Sequence, residues 1–192
     1  MPDDKDALLR YLGEGREAML WKLDGLDEYG ARRPMTPTGT NLLGLVKHLT
    51  ANELTYFARV FDRPTADLSY LDTFDPWNNE DMWARADEPR QEIVGRYRRV
   101  AAHTDAIIAE LPLDTLGRVP HWPAERAETT LQHLVVRMIA ETHRHAGQAD
   151  IVREHLDGRA GHRAADPSLP SDEATWWAAH VAEVEAAARE AR

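Results

Sequence analysis

The sequence has no cysteine. Disulfides, thiolate metal sites and a cysteine nucleophile are therefore excluded, and any metal must be held by nitrogen and oxygen. Lysine is scarce, three residues against twenty arginines, a bias that points to GC-rich coding DNA. Positive charge is in deficit overall: the formal net charge is -10. A surface that acidic repels phosphate backbones, and no Lys/Arg run compensates, so nucleic-acid partners are not expected. No apolar run approaches the roughly 20 residues needed to span a bilayer. The start, MPDDKDALLR, lacks a basic region followed by an apolar one. No signal peptide and a cytoplasmic location are the expectation. Also missing are Gly-x-Ser-x-Gly, a glycine-rich phosphate loop, His-Glu-x-x-His, and any glutamate three residues before a histidine. These absences exclude a serine-hydrolase elbow, a zincin and the Glu-x-x-His pairs of di-iron bundles.

Strand-like alternation, internal repeats and low-complexity linkers are absent too, and helical periodicity dominates. With 192 residues, 43% apolar and 29% charged, the chain suits one domain with a sizeable core. A first helix is expected from about Asp4 to Leu26, weakened by Gly13 and Gly15. A second runs from about Asn41 to Phe61, with Asn41 or Thr40 as cap. A third runs from about Pro89 to Leu111. A fourth runs from about Thr129 to Leu156, with Gly158 at its C-terminal cap. A fifth is expected with Ser171 as its cap and Glu173 nearby. Two connections, 62–87 and 112–127, are long for a compact helical protein and suit a site over one end. Phe74, Trp77 and Trp83 argue that the first is ordered, because such rings favour burial. The expected fold is all-α: an up-and-down four-helix bundle with long connections and an extra C-terminal helix.

The fourth helix carries Glu141, His143 and His145 within five residues. At about 100° per residue, with Met138 at zero, Glu141 falls near -60° and His145 near -20°. His143 falls near 140°, on the solvent side, by the same geometry. Glu141 and His145 thus share the apolar stripe, and a carboxylate there needs a partner. On this helix alone, an internal Glu–His ion pair accounts for them as well as a metal does. The second helix shifts the balance. With Leu45 at zero, His48 lies near -60° and Asn52 near -20°. Two histidines and one carboxylate are an open-site set for a divalent metal, leaving a position for water or substrate. The same set suits non-haem iron. Asn52, one turn from His48, is placed to orient a ligand. Of the histidines at 103, 121, 133, 155, 162 and 180, His121 in the long connection VPHWP is the one best placed to line a site.

The segments LVKHLTANE around His48, ETHRHAGQADIVREHLDG from Glu141, and NNEDMWARAD resemble the DinB-like (YfiT-like) metal-dependent enzymes. Within them they resemble the branch that includes mycothiol-dependent maleylpyruvate isomerase. The resemblance runs to about Gly158 and implies residues 1–158 as a metal-binding bundle; 159–192 are expected to form a C-terminal loop and helix packed on the same domain. It implies His48, Glu141 and His145 as the metal ligands through which catalysis runs, with zinc or nickel, or iron as in related sulfoxide synthases. Gln148 stands where many relatives carry histidine. A low-molecular-weight thiol is the implied co-substrate and a homodimer the implied assembly. Asn52, Trp77, Asn78, Asp81, Trp83, His121, Trp122 and Arg153 are the lining residues to test. For the aromatics the competing reading is packing of the loop on the bundle. For Arg153 it is a surface salt bridge with Glu154 or Asp157. Three functions stay open: thiol S-transfer to a small electrophile, hydrolysis by a metal-bound hydroxide, and a non-catalytic ligand-binding or dimerisation bundle.

Overall fold

The computed structural model describes residues 4–164 and 168–191; the acidic start at 1–3, part of the C-terminal loop and the last residue lie outside them. The chain divides into two compact units, Met1–Ala160 and Gly161–Arg192. The second unit contains helix α7, Ala174–Glu190. Ser171 does not cap this helix; its hydroxyl accepts from the backbone N–H of Glu173, just ahead of the first turn.

The first unit is all-α apart from one pair of three-residue strands. Helix α1, Asp4–Trp21, stops short of the expected Leu26. A turn with Gly25 at φ 75° follows, then the short α2, Glu28–Arg32, capped by the side chain of Asp27. Helix α3, Leu42–Glu53, is capped by Asn41, which accepts from the Gly44 N–H at 2.8 Å. The chain then widens into a π-helical turn, Leu54–Arg59, a form that recurs at functional sites. Helix α4 spans Arg90–Glu110. Strands β1, Leu116–Arg118, and β2, Glu128–Thr130, pair antiparallel on either side of α5, Ala124–Ala127. Three-residue strands are too short to show period-two alternation. Helix α6, Leu131–Asp157, is capped by Thr130 and ends at Gly158 in the left-handed conformation.

Helices α1, α3, α4 and α6 enclose the core, with Leu12, Leu45, Leu49, Tyr97, Leu134 and Met138 fully buried. They do not simply alternate in direction. Lys47 meets Glu88 at the start of α4, and Arg63 meets Glu110 at its end, so α3 and α4 run the same way. Lys5 reaches the Ala109 carbonyl while Arg90 reaches that of Leu26, so α1 opposes α4. Tyr11 faces His143 and Lys22 faces Asp150, so α1 and α6 are parallel. The up-and-down expectation is corrected to up-down-down-up: the long connection after α3 carries the chain back along the bundle before α4 begins.

Gly15, which looked unfavourable in the sequence, has a structural cause, and next to it stands a buried ionic network. A Cβ at Gly15 would lie 2.9 Å from Thr142 Cγ2, so the glycine permits the close approach of α1 to α6. Arg16 donates to both oxygens of Glu53 at 2.8 and 2.7 Å and to Asp105 at 2.7 Å, in a buried network tying α1, α3 and α4. It fixes the end of α3 from which the site is built.

Candidate metal centre

Helix α3 is buried on nearly every side although Lys47, His48, Thr50, Asn52 and Glu53 are polar, so those side chains need partners. For Lys47 and His48 they come from the segment between α3 and α4, which folds as three short 3-10 turns, Ala66–Asp72, Pro76–Asn78 and Glu80–Met82. The segment is latched to successive turns of α3. Asn41 Nδ2 donates to the Met82 carbonyl at 3.0 Å. Lys47 Nζ donates to the Trp83 carbonyl at 2.8 Å and to Glu88 at 2.9 Å. His48 Nδ1 lies 2.6 Å from Asp81 Oδ2. Between these bonds, Gly44 leaves room for the loop backbone: a Cβ there would sit 1.8 Å from the Met82 oxygen.

His48 is thereby aimed across the bundle at α6. Its Nε2 lies 3.3 Å from Glu141 Oε1, and His145 Nε2 lies 3.0 Å from the same oxygen. Ligand atoms from His48, Glu141 and His145 all lie within 4.8 Å of one another. Two donors bound to zinc at tetrahedral angles stand about 3.3 Å apart, so only small side-chain rotations separate this set from coordination. The opposite ring nitrogens are both engaged. His48 Nδ1 meets the Asp81 carboxylate, and His145 Nδ1 meets Gln148 Oε1 at 2.7 Å. With Asp81 and Gln148 accepting from the two Nδ1 atoms, both Nε2 atoms are turned inward, where a bound metal would find their lone pairs. That is how metal-binding histidines are oriented.

Burial opposes charge on His48, but hydrogen bonds to Asp81 and Glu141 outweigh it and raise its pKa to about 9. Hydrogen bonds from His145, then His48, hold the Glu141 carboxyl well below its usual range. In the metal-free protein His48 is thus an imidazolium between two carboxylates. Its raised pKa contributes stability that is full below the ordinary 6.5 and lost as pH rises through about 9.

Beside His48 opens a cavity of about 440 Å³. Asn52, Tyr56, Arg59 and His121 supply its polar lining, and Leu71, Phe74 and Met82 much of its apolar wall. A larger groove of about 810 Å³, bordered by Leu20, Glu28 and Arg90, contains none of the three clustered residues. Two of its arginines are engaged: Arg32 bonds Glu28 and two carbonyls, and Arg90 bonds the carbonyls of Leu23 and Leu26.

The other expected lining residues divide. Asn52 and His121 line the cavity, and so does Trp77, at its rim and 88% exposed. Burial of rings therefore does not order this segment around Trp77; the latch to α3 does. Asp81 also borders the cavity, but its carboxylate is committed to His48. It takes the orienting role expected of Asn52, whose amide instead lies 2.9 Å from the inward Nε2. Asn78 is spent on the turn, donating to Asp75. Trp83 faces a separate recess beside Arg32 and Pro34. Trp122 packs on the core. Arg153 is neither on the surface nor at the site: it is 1% exposed, gripping Asp157 with two bonds and the Lys22 carbonyl with a third. His143, expected in solvent, caps the Tyr11 carbonyl at 2.9 Å. Sequence reasoning missed Gly44, Lys47, Tyr56 and Arg59. A signal existed for Lys47, a cation on a helix with no polar face.

Asp81→Asn keeps an acceptor for His48 but removes the charge. Metal affinity is expected to fall about 10-fold, which titration against a coloured chelator measures; the metal-free melting temperature is expected to fall as well below pH about 9, where the His48 imidazolium loses one of its two carboxylate partners.

Two comparisons complete the picture of the site. The family model described as Mycothiol-S-transferase matches residues 7–158, a span that contains the whole cluster and its cavity. Among curated proteins none matches.

Proposed function

The chain belongs to the mycothiol-S-transferase family, within the DinB/YfiT-like superfamily, and on that premise we propose that it joins mycothiol to a small electrophile at a divalent metal held by His48, Glu141 and His145. The observation that carries the proposal is the convergence of two Nε2 atoms on one Glu141 oxygen, with both Nδ1 atoms tied from behind. A metal there supplies a Lewis acid that lowers the pKa of the thiol, whose thiolate is the nucleophile. Zinc and nickel fit the N,N,O donor set, and iron fits it as well. Asp81 and Gln148 hold the two imidazoles in the required tautomer. Asn52, at the open side of the cluster, presents its amide to whatever enters. Leu71, Phe74 and Met82 shield the reacting atoms from water on one side of the cavity. Likeness to the mycothiol-dependent maleylpyruvate isomerases adds isomerisation through a transient thiol adduct to the reactions proposed for this site.

The test is turnover of a small electrophile by metal-loaded protein, with and without mycothiol. Product that forms only with the thiol supports transfer. Equal turnover without it would assign hydrolysis by a metal-bound hydroxide.

Metal uptake carries a pH signature. Below pH about 9 His48 must give up a proton before its Nε2 can bind. Apparent metal affinity is therefore expected to rise about 10-fold per pH unit from 6.5 and to level off above pH about 9. Calorimetry in buffers of different ionisation enthalpy reads the released proton directly. A flat affinity across that window contradicts the assignment of His48.

A further inference from the structure

The outer part of the cavity holds a polar pair that thiol activation does not use. Tyr56 Oη lies 3.5 Å from His121 Nε2, with ring centroids 5.9 Å apart. Both residues line the cavity that His48 and Asn52 line. The Tyr56 ring is fixed: it is 7% exposed, with the Arg137 guanidinium 5.3 Å from its centroid. His121 is exposed and so exchanges protons with water. The separation is at the long end for a hydrogen bond, as catalytic contacts without substrate often are.

Resting on the thiol-transfer reading, we propose that Tyr56 and His121 relay a proton to electrophiles whose attacked bond ends on a basic oxygen, namely epoxides and α,β-unsaturated carbonyls. The argument is one of direction. Tyr56 follows His48 by about two helical turns, roughly 12 Å along the axis. Sulfur enters at the His48 end. In epoxide opening the breaking C–O bond lies opposite the nucleophile, and in an enone the carbonyl oxygen lies beyond the attacked carbon, so with sulfur at the His48 end the oxygen lies on the side of the cavity lined by Tyr56 and His121. The sulfur lone pair forms the C–S bond. In an epoxide the C–O pair moves onto oxygen; in an enone the C=C π pair shifts to the bond between the α-carbon and the carbonyl carbon, the C=O π pair moves onto oxygen, and the enol formed on protonation reverts to the ketone. That oxygen takes the Tyr56 proton, Tyr56 takes one from His121 Nε2, and His121 Nδ1 takes one from water. The thiol's own proton has already gone to water, so the sum is a neutral adduct with no change of oxidation state. Burial, then the charge of Arg137, keep the His121 pKa below the usual imidazole value, so the ring is neutral near pH 7 and free to pass protons either way. Chloride, a weak base, needs no such proton when it leaves.

The experiment compares styrene oxide with benzyl chloride, at saturating mycothiol and after subtraction of the uncatalysed rates. Tyr56→Phe keeps the ring under Arg137, and His121→Asn changes an exposed residue, so both variants are expected to fold. Each should lower kcat for styrene oxide about 100-fold, leave KM for mycothiol unchanged, and alter benzyl chloride turnover by less than about twofold. Equal losses on both substrates, or no loss on the epoxide, overturn the relay. Failure of the unaltered protein to turn over either substrate overturns the transferase reading, and the relay with it.

Discussion

Alanine in place of His145 is expected to leave a folded helical protein that no longer retains its metal. In the proposed site His145 is one of three protein donors, and its ring cannot be replaced from nearby: Gln148, the adjacent polar group, is a poor metal ligand. Losing an orienting partner lowers metal affinity by about 10–100-fold. Losing a ligand should cost more than that, about 1,000-fold or beyond. Thiol-transfer activity should fall with it to background. The readout that separates this from general damage is thermal. In the unaltered protein, metal at 100 times its Kd adds about 2.7 kcal/mol of stability. In His145→Ala the melting temperature should not respond to metal at the same concentration, while the metal-free form melts within a few degrees of the parent. A variant that still gains stability from metal would mean that His145 is not a ligand and that its 3.0 Å contact with Glu141 is a plain ion pair.

The second large effect comes from a residue that touches no substrate. Gly44→Ala places a methyl group 1.8 Å from the Met82 carbonyl oxygen and 2.4 Å from its carbon. Both are backbone atoms held by Asn41, so no rotamer change relieves the clash. Either α3 or the loop must move. Overpacking of this kind costs about 3 kcal/mol or more, which lowers the melting temperature by roughly 6–12 °C for a chain of this length. The loop is the cheaper element to move, and Asp81 is the residue next to Met82. Metal affinity should therefore fall about 10–100-fold through loss of the His48 partner. Circular-dichroism melting and chelator titration of one preparation test both halves. Unchanged stability and unchanged affinity together would show that the segment before α4 is not latched where the structure puts it.

These two residues also mark how far the sequence could be read. His145 was legible. Glu141 and His145 stand four apart on an apolar stripe, and His48 stands on another, so angular arithmetic brought them inward before any fold was known. Gly44 was not legible, because its necessity lies in the carbonyl of Met82, across an irregular loop with no periodicity. Asp81 was missed in its role for the same reason: a hydrogen bond spanning 33 positions leaves no local trace. Arg153 misled because two acids beside it on the helix suggested a solvated pair, whereas α1 covers that face and buries it. The long helices were found, but the parallel run of α3 and α4 was not. Periodicity reports which face of a helix is apolar and says nothing of its direction. The π-helical turn that carries Tyr56 and Arg59 has no sequence signature, and neither residue was read as lining a cavity.

Everything assigned to the cavity depends on a cation at the three converging donors. Native mass spectrometry of protein purified without an affinity tag, alongside its His48→Ala and His145→Ala variants, measures that directly. The account predicts one transition-metal ion per unaltered chain and none in either variant. A parent chain that carries no metal, and takes up none when zinc, nickel or iron is added, would contradict it.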